Sequence, residues 1–546
     1  MQKLALGLLV ALSCLPKTAN ADSGAVCRPN PATLSAITRE LASDDFGGRA
    51  PSSQGEPLVI DLISKAFKGA GLSPAGDMID GEQQWTQRVA LVRSSIDGPV
   101  SITLNAGDAR TPLTQGKEIV FRATKPGTSE VDIKSAPVVF VGYGVSAPER
   151  DWDDFKGVDL KGKIALILVN DPDHLDTEGP FGGNTMTYYG RWTYKLEEAT
   201  RRGALGALIV HETKAASYDW PIVRNSNMAE VFDIPTDASV HQLSASGWVQ
   251  HDLAERLAHD AGLELKTLEE QARRRDFRPV ELSGVSLDVE YSSVHEETVS
   301  HNIIGVLPGS KRPDEYLVHS AHWDHIGQRI ASDGTVHIYN GAQDNAVGVA
   351  ALLKLAKCYG EAGAAERSVI FLATTAEEQG LFGAGYYVEH PPYALKDTVG
   401  LINFDILGVN GPSRNVSTFG YPGNSLTDLL KTTAQQHGLY FSPDPKPEAG
   451  HYYRSETLPF ARAGIPAITF TSGDDLIDGG VSAGRQAAAD YIAQRYHQPG
   501  DVWSPNMNFE GIAENVALVY AMGYRLAMSE DRPYWYKDSE FGNEKK

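Results

Sequence analysis

From His301 onward short apolar runs alternate with helix-like stretches, and three of the runs stop at ionisable residues. The apolar runs are Ile303 to Leu307, Tyr316 to Ala321, Ser368 to Thr374, Leu401 to Phe404 and Ala467 to Phe470. Helical patterns begin after Asp344, Leu381, Asn424 and Phe509. Strands alternating with helices cannot all pair as hairpins. They fold as an α/β layer with a mixed, largely parallel sheet flanked by helices. In such sheets ligands bind beyond the carboxyl ends of the strands, so the residues that close each apolar run face that edge.

Those residues carry chemistry. His322 and Asp324 stand two apart at the end of the second run, on the same side of an extended chain, which lets Asp324 orient the imidazole. Asp344 stands in a glycine-punctuated loop before a helix, where a capping role competes with a cation-binding one. Glu377 and Glu378 place two adjacent carboxylates after a strongly apolar run. They repel each other unless a cation compensates. Asp405 closes the next run, and His497 lies in a turn-rich loop after a helix. Each residue alone has an ordinary explanation, as a cap, a solvated loop or a packed histidine. Together they gather imidazole and carboxylate at one sheet edge, a nitrogen and oxygen ligand set without thiolate that suits zinc, with cobalt or manganese as substitutes.

The rest of the chain divides by pattern. Lys3 and the apolar stretch Leu4 to Leu15, followed by Ala19-Asn20-Ala21, read as a signal peptide over residues 1–21. Lipoprotein anchoring at Cys14 is the weaker alternative, since the stretch before it lacks the usual branched residue. The expectation is an exported, periplasmic or secreted protein without stable membrane insertion. Residues 22–95 carry helices around Thr33 to Leu41 and Leu58 to Ala70. Residues 96–295 change to short β-branched strands with no catalytic constellation, residues 296–530 hold the alternating unit, and 531–546 form a polar tail. A net charge of -21 disfavours nucleic acid as a partner. Oligomeric state is not legible. Beyond the leader only Cys27 and Cys358 remain, which pair in an oxidising compartment or stay apart. Cys358, in an apolar helical stretch, reads as buried packing.

The strings SAHWDHIG, GAQDNAVGVAAL, TAEEQGLFGA, NFDILG and YHQPGD, in that order, resemble the successive motifs of the M28 zinc aminopeptidases, and DDFGGRAP extends the resemblance to the N-terminal segment. The strings WDDFKGVDLKGKIALILV and GALGALIV resemble the β-rich protease-associated (PA) domain often inserted in that family. The resemblance implies two zinc ions, with His322 and Asp405 on one, Glu378 and His497 on the other, and Asp344 bridging. It makes Glu377 the general base and Asp324 the partner of a metal-bound imidazole. Implied substrates are peptides cleaved at the amino terminus. Alternatives on the same fold are carboxypeptidase or dipeptidase action, glutaminyl cyclisation, and a non-catalytic receptor-like binding protein. Glu456-Thr457 departs from the Asp-His found in many relatives, which bears on the substrate pocket. His451, Tyr452 and Tyr453 are candidates for lining that pocket.

Overall fold

The computed structural model describes residues 27–235, 240–330, 333–420, 423–537 and 539–542. The expected signal peptide and Cys14 lie outside the described residues.

The alternating unit forms the expected sheet. Strands Ala467–Ser472, Thr398–Phe404, Arg312–His322 and Arg367–Thr374 lie side by side in that order and run parallel. Helices cover both faces, so these strands are buried above and below and read as unbroken apolar runs. One face packs against Pro31–Leu41, Val347–Ala362 and Glu510–Met528, whose apolar residues share a single core with Leu317, Phe371 and Ile402. The other face packs against Phe382–Glu389 and Thr457–Arg462 through Tyr387 and Phe460. Each fully buried Leu, Ile or Phe in these layers stabilises the fold by about 1.5–3 kcal/mol.

Two strands are far longer than the sequence pattern suggests. Thr86–Ala106 and Val280–Leu307 pair antiparallel along almost their whole length. The second also pairs with Arg367–Thr374 at its end and with Glu130–Phe140 nearer its start. The expected boundaries at 95/96 and 295/296 therefore fall inside continuous strands rather than in linkers. They lie level with each other, since Ser95 faces Val294. Beyond this ribbon the sheet continues into the 96–295 region, which has its own hydrophobic core. Strands Glu130–Phe140, Ile164–Leu168, Gly206–His211 and Ala245–Gln250 run parallel. Helices Trp192–Arg201, His251–Asp260 and Leu265–Ala272 accompany them.

Cys358 is buried in the core, as its apolar stretch implies, and of the two alternatives for the cysteines the structure takes the paired one, a disulfide with Cys27. The polar tail is tied to the body: Arg367 donates to the carbonyls of Glu530 and Asp531, and Trp535 Nε1 donates to Gly464 O at 2.9 Å. No helix among the described residues is long and apolar enough to cross a membrane.

Candidate metal centre

Strand register does most of the assembly. Ser320 pairs with Asn403, which sets His322 level with Asp405 on the neighbouring strand, and His322 pairs with Thr374. Neighbouring strands lie about 4.8 Å apart, so three strand ends present His322, Asp405 and the Glu377-Glu378 pair to one space. The chain turns sharply after Thr374, with Ala376 at a positive φ of 53°. This turn folds both glutamates back over the sheet edge.

Asp344 arrives from the other side. The loop Ala342–Ala346 has non-helical backbone at Asp344 and Asn345, joined by a cis peptide. Asp344 does not cap the following helix, whose first flanking residue is Ala346 and makes no side-chain cap. Its carboxylate is instead free to face inward. Gly341 permits the approach: at φ +56° a Cβ there would lie 2.2 Å from the Asp344 carbonyl oxygen. Two side chains pin this loop. Asp501 accepts from the amides of Gln343 and Asp344, the latter at 3.0 Å. Arg49, fully buried, donates to the carbonyls of Trp323 (2.8 Å), Asn340 (2.5 Å), Gly341 (2.9 Å) and Leu41 (2.8 Å).

The result is one buried cluster. His322 Nε2 lies 3.2 Å from Asp405 Oδ1 and 3.4 Å from Asp344 Oδ1, with Glu377 Oε2 at 4.0 Å. His497, at the end of the loop after helix Gly480–Gln494, puts Nε2 2.9 Å from Glu378 Oε2 and 3.3 Å from Asp344 Oδ2. The structure thus brings together all seven residues singled out from sequence. Asp324 behaves differently from the expectation. His322 Nδ1 meets the backbone carbonyl of Asp324 at 3.2 Å, while the nearer carboxylate oxygen is 3.9 Å away. That carboxylate accepts from the amides of Glu377 and Glu378 at 3.0 and 3.4 Å, so it shapes the glutamate turn as much as the imidazole.

One residue escaped the sequence reading. His325 Nδ1 contacts Glu378 Oε1 at 2.6 Å, is buried, and lies 5.8 Å from His497, ring to ring. Its signal was its place directly after Asp324 in the histidine-rich string, which alone does not separate it from a packed histidine. Two trios of ligand atoms, His322–Asp344–Asp405 and His325–Asp344–Glu378, each lie within 4.8 Å of one another, and Asp344 belongs to both.

Electrostatics argue for cations in this space. Asp324, Asp344, Glu377, Glu378, Asp405, Glu456 and Asp501 are buried or nearly so, against His322, His325, His497 and Arg49. Burial, then Asp405, Glu378 and Glu456, push the Glu377 carboxyl well above its ordinary range. Burial opposes the charge of His322, but Glu377 and the contacts to Asp344 and Asp405 outweigh it and hold the imidazole well above its usual pKa. Burial likewise lifts Asp324 to about 7 and Glu456 to about 8, the latter despite the hydroxyl of Thr374 that donates to it. Divalent cations relieve such crowding of carboxylates. The donors are suited to receive them: His497 Nε2 sits between two carboxylate oxygens yet is aligned for a hydrogen bond with neither.

The centre opens to a cleft of about 3270 Å³ whose walls come from both the sheet edge and the 96–295 region, including Arg191, Tyr218, His451, Tyr453 and Arg454. Tyr452 is instead buried behind this wall.

These features define an α/β protein with a buried imidazole and carboxylate cluster at the carboxyl edge of its sheet. Residues 302–521 match the profile described as Peptidase family M28. It is 27% identical over 240 residues to Aminopeptidase YwaD of Bacillus subtilis, covering 43% of this chain and 46% of that protein. It is 30% identical over 177 residues to Leupeptin-inactivating enzyme 1 of Streptomyces exfoliatus, covering 32% and 36%. The matched stretch thus spans less than half the length of either relative. Among solved structures, the fold is shared with the aminopeptidase from Aneurinibacillus sp. strain AM-1, at a TM-score of 0.53 and 19% identity, over 91% of this chain and 94% of that one.

Proposed function

We propose that this protein is an exported zinc aminopeptidase that works with two cations and removes amino-terminal residues from peptides. The observation that carries the reading is the double membership of Asp344 in two buried ligand trios. With Oδ1 beside His322 and Oδ2 beside His497, the Asp344 carboxylate would help to hold both ions. His322 and Asp405 would hold one ion, Glu378 and His497 the other. His325 engages Glu378 Oε1 and leaves Oε2 to the metal side. When bound, the ions polarise the scissile carbonyl and acidify water.

The protein's own groups supply the proton traffic. Glu377, at the edge of the cluster and facing the cleft, takes a proton from the attacking water as its oxygen bonds to the carbonyl carbon. As the C–N bond breaks, the same carboxyl returns that proton to the departing nitrogen, so one water is consumed and a carboxylate and an amine result. Asp324 fixes the backbone of Glu377 and Glu378, so the base and the ligand move as one unit. A cationic substrate amine is drawn to the excess carboxylates beside the metals.

Export is supported by the leader pattern and by the Cys27–Cys358 disulfide, a bond that persists in oxidising compartments. We further read the 96–295 region as the inserted PA-like domain, supported by its own hydrophobic core and its contribution to the cleft wall. The test is metal content together with substrate scope. Purified protein should carry about two zinc ions per chain, cleave aminoacyl anilides, and lose that activity on peptides whose amino terminus is acetylated. One zinc with cyclisation of amino-terminal glutamine would replace this reading, and absence of zinc would end it.

A further inference from the structure

Among the described residues no helix or strand follows Glu510–Met528, yet the tail beyond it is anchored step by step. Arg532 Nη2 donates to Lys396 O at 3.0 Å, the Tyr534 amide to Ser425 Oγ at 2.9 Å, and the Tyr536 amide to Gly423 O at 2.8 Å. The Phe541 ring lies 5.3 Å from Trp535 and 6.1 Å from Tyr452. These contacts deliver Glu540 to Tyr453, whose hydroxyl donates to Glu540 Oε1. Fixing an irregular segment costs about 1–2 kcal/mol of backbone entropy per residue, so anchors this closely spaced mark a specified path rather than a loose end.

Tyr453 is where this path meets the site. Among the described residues it alone borders two spaces, the cleft above the metal centre and a second cavity of about 210 Å³. The second cavity lies between Arg150 and Met186 of the 96–295 region, Tyr452 of the peptidase body, and Glu540 and Phe541 of the tail. In the cleft wall the Tyr453 ring lies 6.2 Å from that of Tyr188. Tyr188 is itself clamped: Arg462 lies 4.4 Å over its ring and donates to its Oη at 2.5 Å, and that hydroxyl donates to Glu197 Oε1 at 2.7 Å. Tyr453 thus has a fixed neighbour on one side and open room on another, into which its ring can swing. The bond from its hydroxyl to a carboxylate is charge-assisted, stronger than one between neutral groups, and opposes that swing. Arg454, the next residue, also lines the cleft and donates to Tyr496 Oη at 3.1 Å, beside His497. Both residues belong to the single turn His451–Arg454, so a shift of Tyr453 is felt along the wall as far as the neighbour of a candidate metal ligand.

We propose that Glu540 is a positioning residue for peptide binding: by holding the Tyr453 hydroxyl it keeps the cleft wall in the shape that substrates meet. The tail is thereby a working part of the cleft. Glu540 borders the second cavity and not the cleft, so its loss weakens binding and leaves the chemical step alone. The effect on turnover rests on the aminopeptidase reading; the hold on the wall does not.

The experiment compares full-length variants with the parent on the aminoacyl anilide that the parent cleaves fastest. Glu540→Ala should raise KM about tenfold, the scale of one hydrogen bond to a charged group, with kcat and zinc content near parental. Glu540→Gln, whose amide oxygen still accepts from the hydroxyl, should keep KM within about threefold of the parent. Tyr453→Phe should raise KM as well, and adding Glu540→Ala to it should bring little more, because the two act through one bond. Amide hydrogen exchange over residues 450–455, which needs no turnover, should quicken in Glu540→Ala. A parental KM or unchanged exchange in Glu540→Ala overturns the proposal, as do KM effects that multiply in the double variant. A fall in kcat together with zinc content overturns it too, since that would make Glu540 a support of the whole fold. Should Glu540→Ala not fold, a parental KM in Tyr453→Phe, which lacks a single oxygen, is decisive against it. A parent that cleaves no anilide sinks the aminopeptidase reading instead, and the exchange result still decides the role of Glu540.

Discussion

At the scale of single residues, Glu377 and Glu378 show how neighbours of identical chemistry acquire different duties. Both sit in the turn held by Asp324, but Glu378 meets His325 and His497, which hold its carboxyl down at about 2 against burial and Asp344. Glu377 meets Asp405, Glu378 and Glu456 and is pushed the other way. A carboxylate that holds its charge suits a ligand, and one that readily accepts a proton suits a base. Glu377→Gln preserves shape and removes the proton acceptor. It should lower kcat by about 10²–10⁴-fold while zinc content, measured by elemental analysis, stays near that of the parent. Turnover close to the parental value would remove Glu377 from the role of base. Residues of this kind were legible because they close apolar strands. Arg49 and His325 were not: an arginine after two glycines reads as a solvent-facing loop, and only the tertiary fold shows it buried among four carbonyl oxygens.

Elements differ in how openly the chain announces them. The strands ending at His322, Thr374 and Phe404 are buried on both faces where they approach the site, so the stretches leading to their ends are largely apolar and the ends easy to find. The paired strands Thr86–Ala106 and Val280–Leu307 carry polar and apolar residues in irregular alternation because different stretches meet different neighbours. Their continuity was therefore invisible. Helix Trp192–Arg201 hides a further surprise. Its Lys195 is fully buried, donates to Tyr143 O at 2.6 Å and Asn170 O at 2.9 Å, and is held down to about 8 by burial despite Asp171 and Asp154. Those two carboxyls are each lifted to about 7, chiefly by burial, with Lys195 working against the rise. A carboxyl whose pKa is raised by folding contributes stability below its unfolded value near 4, and that contribution is lost as pH rises through 7. Lys195→Met removes the opposing charge and raises both carboxyls further, so its cost must grow with pH. Urea unfolding should show a loss of about 3 kcal/mol at pH 8 and a distinctly smaller one at pH 5. Equal losses at the two values would mean that Asp154 and Asp171 do not sense the ammonium.

For the whole molecule, two kinds of cross-link act at opposite ends of one helix. Val347–Ala362 begins directly after the loop that carries Asp344, and near its far end Cys358 is bonded to Cys27. Bound cations would tie together chain segments from His322 to His497 at the sheet edge, whereas the disulfide ties the start of the described chain to the back of the same core. The eleven residue-to-residue steps from Val347 to Cys358 place these anchors roughly 17 Å apart along the helix axis. Sites so far apart, sharing no partner, contribute to stability nearly additively. Chelation of metal present at a thousandfold excess over its Kd should cost about 4 kcal/mol. Replacing both cysteines by alanine should cost about 2–5 kcal/mol. Equilibrium unfolding of the parent and the Cys27→Ala/Cys358→Ala variant, each with and without chelator, measures both effects and their sum. The chelator's effect should agree in the two backgrounds to within about 0.5 kcal/mol. A chelator effect that vanishes without the disulfide would mean that the metal acts through the same helix end. A chelator without effect in either background would show that the imidazoles and carboxylates at the sheet edge hold no cation, and with that the peptidase reading would fall.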